Sequence, residues 1–404
     1  MSTSLLYHAF GIHGYTHVST QFKGGVVIFR IRQDPTSLRC PVCRSRHVIR
    51  RGSVDRWFRS VPIGKMAVRI VLSISRVYCA ACDLIRQVNV KFASPRLSYT
   101  NAFRRYALEL SRHMTIQDVA RHLNVSWDII KEIQKQSLSR RFARPKLGKL
   151  RLIAIDEISI GKGHKYLTIV LDLKTGAVVF VGDGKGADAL LPFWRRLKPS
   201  KAKIKAVAMD MSPAYISAIQ KNLPQATVVF DHFHIIKLFN EKLSDLRRKL
   251  YHQATMQSEK DVLKGTRWLL LKNPENLDAD RNEHQRLKEA LELNLPLATA
   301  YYLKEDLRQL WRQLDKKAAE NFLYDWAAKA RASGIQILIK FANTLCAHRT
   351  GILAYYDYPI STGPLEGTNN KIKTMKRQAY GFRDVEFFKL KILALHEAKY
   401  ALVG

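Results

Sequence analysis

Residues 151–211 read RLIAIDEISIGKGHKYLTIVLDLKTGAVVFVGDGKGADALLPFWRRLKPSKAKIKAVAMDM, and two apolar runs in that stretch each end in an aspartate. RLIAID closes on Asp156 and IKAVAMD closes on Asp210. A short apolar run bounded by polar residues is the pattern of a buried strand. Between the two, YLTIVLDLKTGAVVFVG (166–182) holds a pair of strand-like runs joined at Thr175-Gly176, which predicts a hairpin. A carboxylate at the end of a buried strand is costly unless it is exposed, hydrogen-bonded or holding a cation. Two on neighbouring strands would repel and raise one pKa unless a divalent ion neutralised them. Magnesium, a hard ion that takes oxygen ligands, suits such a pair better than zinc.

Working outward, the pattern predicts strands at 151–155, 166–172, 176–181, 203–209 and 226–230, with helices at 187–197, 213–222 and 232–250. Three strands joined as hairpins and then helix–strand alternation predict an α/β fold, a mixed sheet with helices packed on it. Asp231 closes the run ATVVF just before His232 and His234 and is a rival to the first two aspartates. Glu157, beside Asp156, would face the opposite side of a continuing strand, and Asp172 reads as a turn residue. From 238 onward the chain is helical by period, as in FNEKLSDLRRKLYHQ and TAYYLKEDLRQLWRQL. Trp268, Trp311 and Trp326 recur there, and core packing accounts for at least two of them. Lys264, Arg267 and Lys272 are candidates for phosphate contact, and the unpaired Cys346 reads as a buried thiol.

Charge points to the partner. The chain carries +34, from 68 Lys and Arg against 34 Asp and Glu, and residues 1–150 hold +20 of it, from 27 against 7. A solubility surplus would not gather in the first third; a polyanion such as nucleic acid offsets it. Within that third, Cys40-Pro-Val-Cys43 and Cys79-Ala-Ala-Cys82 are separated by 35 residues. Two such pairs can supply four thiolates to a closed structural zinc site. QFKGGVVIFRIRQ (21–33) and KMAVRIVLSISRVY (65–78) read as strands, completing a zinc ribbon. Arg44, Arg46, His47, Arg50 and Arg51 follow the first knuckle, and the four arginines are candidate phosphate contacts. FRRYALELSRHM and TIQDVARHLNVSWDIIKEIQKQS then change to helical period, with small Ala120, a turn at 124–126 and Ser126 as N-cap, a helix-turn-helix pattern. Its second helix, about 127–136, would enter the major groove with Trp127, Asp128 and Lys131 on or near the exposed side. LSRRFARPKLGKL reads as a basic linker in which Arg140, Arg141 and Arg144 would run along phosphates.

Taken together, LIAIDEISIGKGHKYLTIVLDLKTG, VAMDMSPAYISAI, VVFDHFHIIKLFN and STGPLEGTNNKIKTMKRQAYGFRDVEFFKLKIL resemble the insertion-sequence transposases with a ribonuclease-H-like domain, and among them the ISL-three family. The resemblance covers nearly the whole chain. It implies an Asp-Asp-Glu site on Asp156, Asp210 and Glu366, holding Mg2+ or Mn2+. Glu366 follows a Gly363-Pro364 turn and starts a helix on which Asn370, Lys373 and Arg377 lie to one side, a polar stripe facing DNA. Asn369 matches an amide of the family signature and would contact DNA or backbone. The family also carries an Asp-x-x-His element, so Asp231 and His234 are expected near the site, Asp231 either behind the direct ligands or capping the next helix, or else a ligand itself.

The implied organisation is a zinc ribbon (1–97), a helix-turn-helix with basic linker (98–149), the first part of a ribonuclease-H-like core (150–237), an all-helical insertion (238–358) and a C-terminal helical part with the glutamate (359–404). The implied activity is binding of terminal inverted repeats, cleavage of the DNA ends and joining of them to target DNA, by a homodimer or higher oligomer on double-stranded DNA. Alternatives are a structure-specific nuclease or a non-catalytic DNA-binding regulator. No run of about 18 apolar residues and no signal-peptide order occurs, so no membrane span and a cytoplasmic, nucleoid-associated protein are expected.

Overall fold

In the computed structural model residues 5–397 are described; the ends of the expected first and last segments, 1–4 and 398–404, lie outside them. The chain divides into two compact units, Met1–Arg141 and Phe142–Gly404. The first unit opens with a short helix α1 (Leu5–His8) and continues through β1 (Tyr15–Lys23), β2 (Val26–Gln33), β3 (Val48–Ile63), β4 (Met66–Cys79) and β5 (Leu84–Gln87). They form one sheet in the order β1-β2-β4-β3, with β5 on β4. The run at 21–33 is therefore not one strand. It breaks at Gly24-Gly25, whose φ values of 55° and 71° suit a tight reversal, and the two halves pair as a hairpin. Phe29, Ile31, Phe58, Ile70 and Leu72 fill the core beneath.

The period change near residue 100 gives α2 (Asn101–Leu110), α3 (Ile116–Leu123) and α4 (Trp127–Phe142). Thr100 and Thr115 cap the first two, each accepting a backbone N–H three residues on. Asn124 ends α3 in the left-handed conformation, at φ 47°, and turns the chain into α4. Ala120, Leu123, Ile130 and Ile133 are buried together, with Ala120 small enough for α3 and α4 to approach. α4 runs on to Phe142, so Arg140 and Arg141 stand in its last turn and not in a linker.

The second unit holds β6 (Leu152–Gly161), β7 (Lys165–Asp172), β8 (Val178–Asp183), α5 (Leu191–Leu197), β9 (Ala206–Met209), α6 (Pro213–Asn222), β10 (Thr227–Phe230) and α7 (His232–Gln253). The sheet order is β10-β9-β6-β7-β8, antiparallel across β6, β7 and β8 and parallel across β6, β9 and β10. Helices α8 (Gln257–Gly265), α9 (Glu283–Glu292), α10 (Leu295–Leu307), α11 (Lys316–Ala332), α12 (Gln336–Ala347) and α13 (Arg349–Leu353) follow, then α14 (Gly363–Gln378) and α15 (Val385–Leu393). The helical segment packs on the sheet: Ile153, Val207 and Met209 of the sheet share one core with Phe239, Leu307, Trp326 and Phe341. Trp326 is buried and Trp311 packs against that core, but Trp268 is exposed beneath the Arg267 guanidinium. Lys272 is paired with Glu283, and Cys346 is half-buried, not buried, with Arg331 reaching its sulfur. Gly351 is required for close approach: a Cβ there would come within 2.4 Å of the Phe230 ring, so its absence lets α13 lie on the end of β10.

Candidate active site and DNA-binding unit

The sheet explains how the two aspartates meet. β6 pairs with β9 only from Leu152 to Ala154, while its pairing with β7 continues to Gly161. Asp156 thus sits within a strand and not at its end, contrary to the sequence expectation. What ends there is its parallel neighbour. The register Ala154↔Ala208, carried two residues further, sets Asp156 level with Asp210, and Phe230↔Met209, carried one further, sets Asp231 level with both. Three aspartates therefore stand in one row where β9 and β10 stop.

Their surroundings differ. Asp156 is half-buried; its Oδ1 accepts the Glu157 N–H at 2.7 Å and its Oδ2 accepts the Asn369 amide at 2.7 Å. Burial pushes its carboxyl above the ordinary value and the negative charge of Asp210 adds to that, against the Glu157 N–H and the charge of His234. Asp210 accepts the Ser212 N–H at 3.1 Å. Asp231 is 2% exposed and accepts Thr362 Oγ1 at 2.6 Å, with His234 Nδ1 at 3.1 Å. Burial alone would raise the Asp231 carboxyl, but the His234 and Thr362 hydrogen bonds outweigh it and hold the group below the usual range. His234 in turn is held above the ordinary imidazole value by Asp231 first and by the charges of Asp156 and Asp210. Glu157 faces the other way, within 3.4 Å of the Tyr215 hydroxyl, and Asp172 closes its own turn by accepting from Thr175 and Lys174.

Glu366 arrives on α14, which packs on β6. Thr362 precedes the helix, and its carbonyl accepts the N–H groups of Leu365 at 2.8 Å and Glu366 at 2.9 Å. The helix is fastened on both sides of Glu366, by Thr362 to Asp231 and by Asn369 to Asp156. Asn369, expected to meet DNA or backbone, is 5% exposed and spends its amide on a carboxylate 213 residues away in sequence. Thr362 was not singled out by sequence, because its role depends on a neighbour 131 residues away. Glu366, Asn370, Lys373 and Arg377 are exposed. The donor set is all oxygen, with a half-buried carboxylate whose pKa burial raises and a second in register beside it. That set fits a hard divalent cation.

The four cysteines form a different kind of site. Cys40, Cys43, Cys79 and Cys82 place their sulfurs within 4.8 Å of one another, and they alone among the described residues form a group of three or more metal-ligating side chains so closely drawn together. Each knuckle is followed by a residue with left-handed backbone, Arg44 at φ 62° and Asp83 at φ 48°. The knuckles meet because Val48, just past the first, pairs with Cys79 across β3 and β4. This cluster is compatible with structural zinc. Arg44, Arg46, Arg50 and Arg51 are exposed, the last two at the start of β3. Trp127 is 42% exposed in the first turn of α4, with Lys131 Nζ 5.4 Å from its ring centre. Arg140, Arg141 and Arg144 are exposed.

Residues 153–392 match the transposase family DDE_Tnp_ISL3, and residues 88–137 match the helix-turn-helix domain of transposase family ISL3. The transposase for insertion sequence element IS1001 of Bordetella parapertussis is 34% identical over 358 residues, 88% of this chain and 88% of that one. The chain belongs to the ISL3 transposase family. The transposase for insertion sequence element IS1557 of Mycobacterium tuberculosis is 28% identical over 386 residues, 89% of this chain and 86% of that one. A chain of the Drosophila P element transposase strand transfer complex aligns over 77% of this chain and 95% of its own, at TM-score 0.40 and 12% identity. This ISL3 transposase is accordingly an insertion-sequence, DNA-binding protein with a helix-turn-helix, and its Asp-Asp-Glu domain type implies a divalent metal. No helix among the described residues is long and apolar enough to cross a membrane.

Proposed function

We propose that this transposase binds the terminal inverted repeats of its element, cleaves the DNA ends by metal-dependent phosphodiester hydrolysis and joins the freed 3′-hydroxyls to target DNA. The observation that carries the reading is the row of Asp156 and Asp210 at the end of β9, with the Glu366 helix tied to Asp156 through Asn369. In this reading the catalytic unit is ribonuclease-H-like, and Asp156, Asp210 and Glu366 hold Mg2+ or Mn2+. When bound, such cations supply Lewis-acid charge to the attacking and leaving oxygens of an in-line displacement at phosphorus.

The remaining roles belong to the chain's own residues. Asn369 orients the Asp156 carboxylate. Asp231, buried and with its Oδ2 held by Thr362 and His234, positions the start of α14 and hence Glu366. Asn370, Lys373 and Arg377 meet the backbone of the bound end. In the first unit, zinc at the four cysteines fixes the ribbon, the four knuckle arginines and Arg140, Arg141 and Arg144 contact phosphates, and Trp127 and Lys131 face the major groove. Joining two ends calls for a dimer or larger oligomer on DNA.

The test is joining of pre-cut element ends in magnesium by the wild type and by Asp156→Ala, Asp210→Ala and Glu366→Ala. Loss in all three is expected, and undiminished strand transfer in the three variants overturns the assignment.

A further inference from the structure

Past the Asn369–Asp156 hydrogen bond, β6 and α14 leave a cavity of about 420 Å³ between them. Its floor is Ile158, Ile160 and Ile372. Ile158 shares a strand face with Asp156, two residues further along β6, and at the irregularity between Ser159 and Gly161 both Ser159 and Ile160 line the cavity. Ile372 lies one turn beyond Asn369 on α14. The rim carries Lys373, Lys376 and Arg377, and the lining contains no carboxylate. Such a pocket combines an apolar bed with concentrated positive charge at its mouth.

Tyr380 completes the rim in an unusual way. α14 ends with the Tyr380 N–H on the Arg377 carbonyl at 3.0 Å and the Gly381 N–H on the Lys376 carbonyl at 2.9 Å. Tyr380 itself adopts φ 51°, the left-handed position that glycine normally fills after a helix. Its ring is 102% exposed, so no packing inside the protein repays that strain. The conformation sets a bare aromatic face at the mouth of a cation-rimmed cavity.

We propose that this cavity receives one nucleotide of the transposon end, splayed out of the duplex close to the phosphate that is cleaved. This rests on the catalytic reading above. The base would lie on the three isoleucines and stack on Tyr380, since base–aromatic stacking tolerates any base, and its flanking phosphates would meet Lys373, Lys376 and Arg377. From Asn369 to Lys376 is about 10 Å along a helix, and from Asp156 to Ile160 about 13 Å along a strand. At 3.4 Å per step along one strand of B-DNA, that reach corresponds to about three or four steps. A paired base cannot enter a cavity of this kind, so the nucleotide must leave the stack.

The experiment uses the full-length transposase and end duplexes without divalent metal, so that no DNA is cut. 5-Iododeoxyuridine is placed at successive positions near the cleaved phosphate, irradiated, and the cross-linked peptide identified. The expected result is cross-linking to the peptide holding Tyr380 from one position within a few nucleotides of that phosphate. A mismatch at the same position, which removes the cost of unpairing, should tighten wild-type binding. Tyr380→Gly keeps the left-handed helix end but removes the ring, and should weaken binding of the mismatched duplex by roughly fivefold or more. Lys376→Gln should weaken it in a salt-dependent way. No cross-link to that peptide, or no preference for the mismatch, overturns the pocket even if strand transfer is normal. A wild type that cross-links at Tyr380 yet neither cuts nor joins ends in magnesium leaves the pocket standing and removes the catalytic reading.

Discussion

Four sulfurs in the N-terminal unit meet within 4.8 Å, whereas the aspartates of the other unit stand in a row without closing on a common point. The difference lies in how each site is assembled. Each pair of cysteines is arranged locally, by a Cys-x-x-Cys turn that ends in a left-handed residue, and a single strand pairing, Val48↔Cys79, joins the halves. The carboxylates come from separate strands of a parallel register and from a helix 156 residues beyond Asp210, and their like charges oppose closure. A closed thiol site leaves no coordination position for a substrate and so stabilises structure. An open oxygen site leaves room for a phosphate.

That contrast breaks most clearly when the thiols are removed. Cys40→Ser, or chelation of the wild type, should unfold the first unit, since in small zinc domains the metal contributes about 10 kcal/mol or more to folding. DNA binding and metal content should fall together, while a separate melting transition of the second unit persists. Stoichiometric zinc retained by Cys40→Ser would reject the cluster.

The open site should respond in the opposite sense. Asp156→Ala and Asp210→Ala should leave DNA binding by the helix-turn-helix intact and lower strand transfer by roughly a hundredfold to a thousandfold, the range for deleting a group aimed at developing charge. Equal losses of binding and joining would show instead that these residues serve the fold.

A smaller effect separates the proposed ligands from what holds them. Asn369→Ala and Thr362→Val each cut one of the two fastenings around Glu366. Each should raise the magnesium needed for half-maximal joining by about ten- to a hundredfold, as is typical when a ligand's supporting partner is lost. A lower rate at saturating magnesium with no change in the metal requirement would argue that the fastenings do not orient the ligands.

The same contrast governs what was legible in the sequence. The cysteine spacing, the helical period and the alternating strands are local patterns, and they led to the knuckles, to α3 and α4 and to the order of elements along the chain. Asp210 and Asp231 were visible as strand ends because β9 and β10 do end there. Asp156 was found for a reason that proved incomplete: RLIAID looks like the end of a strand, yet β6 continues to Gly161 on its pairing with β7. The Gly24-Gly25 reversal was hidden inside one apolar run. Asn369 and Thr362 left no local signal, because a hydrogen bond across 213 or 131 residues is decided by the packing of α14 on the sheet.

Asp156 supplies the finest test of the open site. Its folded carboxyl titrates above the ordinary value, chiefly because burial disfavours the charged form and then because Asp210 is also negative. For an acid shifted this way, the folded state binds its proton more tightly than the unfolded state, so the charged form destabilises the fold at neutral pH. The penalty is absent below the unfolded pKa, grows as pH rises from there to the folded pKa, and is complete above it. Asp156→Asn, which keeps the shape and can still meet Asn369, should therefore raise the melting temperature of the metal-free protein at neutral pH. That gain should disappear as pH falls below the ordinary carboxylate range, where both proteins are neutral at this position. Adding magnesium should stabilise the wild type and not Asp156→Asn, because only a ligand bound to the folded state shifts the equilibrium. Thermal scans across pH, with and without magnesium, measure all three. A variant no more stable than wild type at neutral pH would mean that the Asn369 and Glu157 hydrogen bonds already offset the buried charge. The row of aspartates would then need no cation to be at rest.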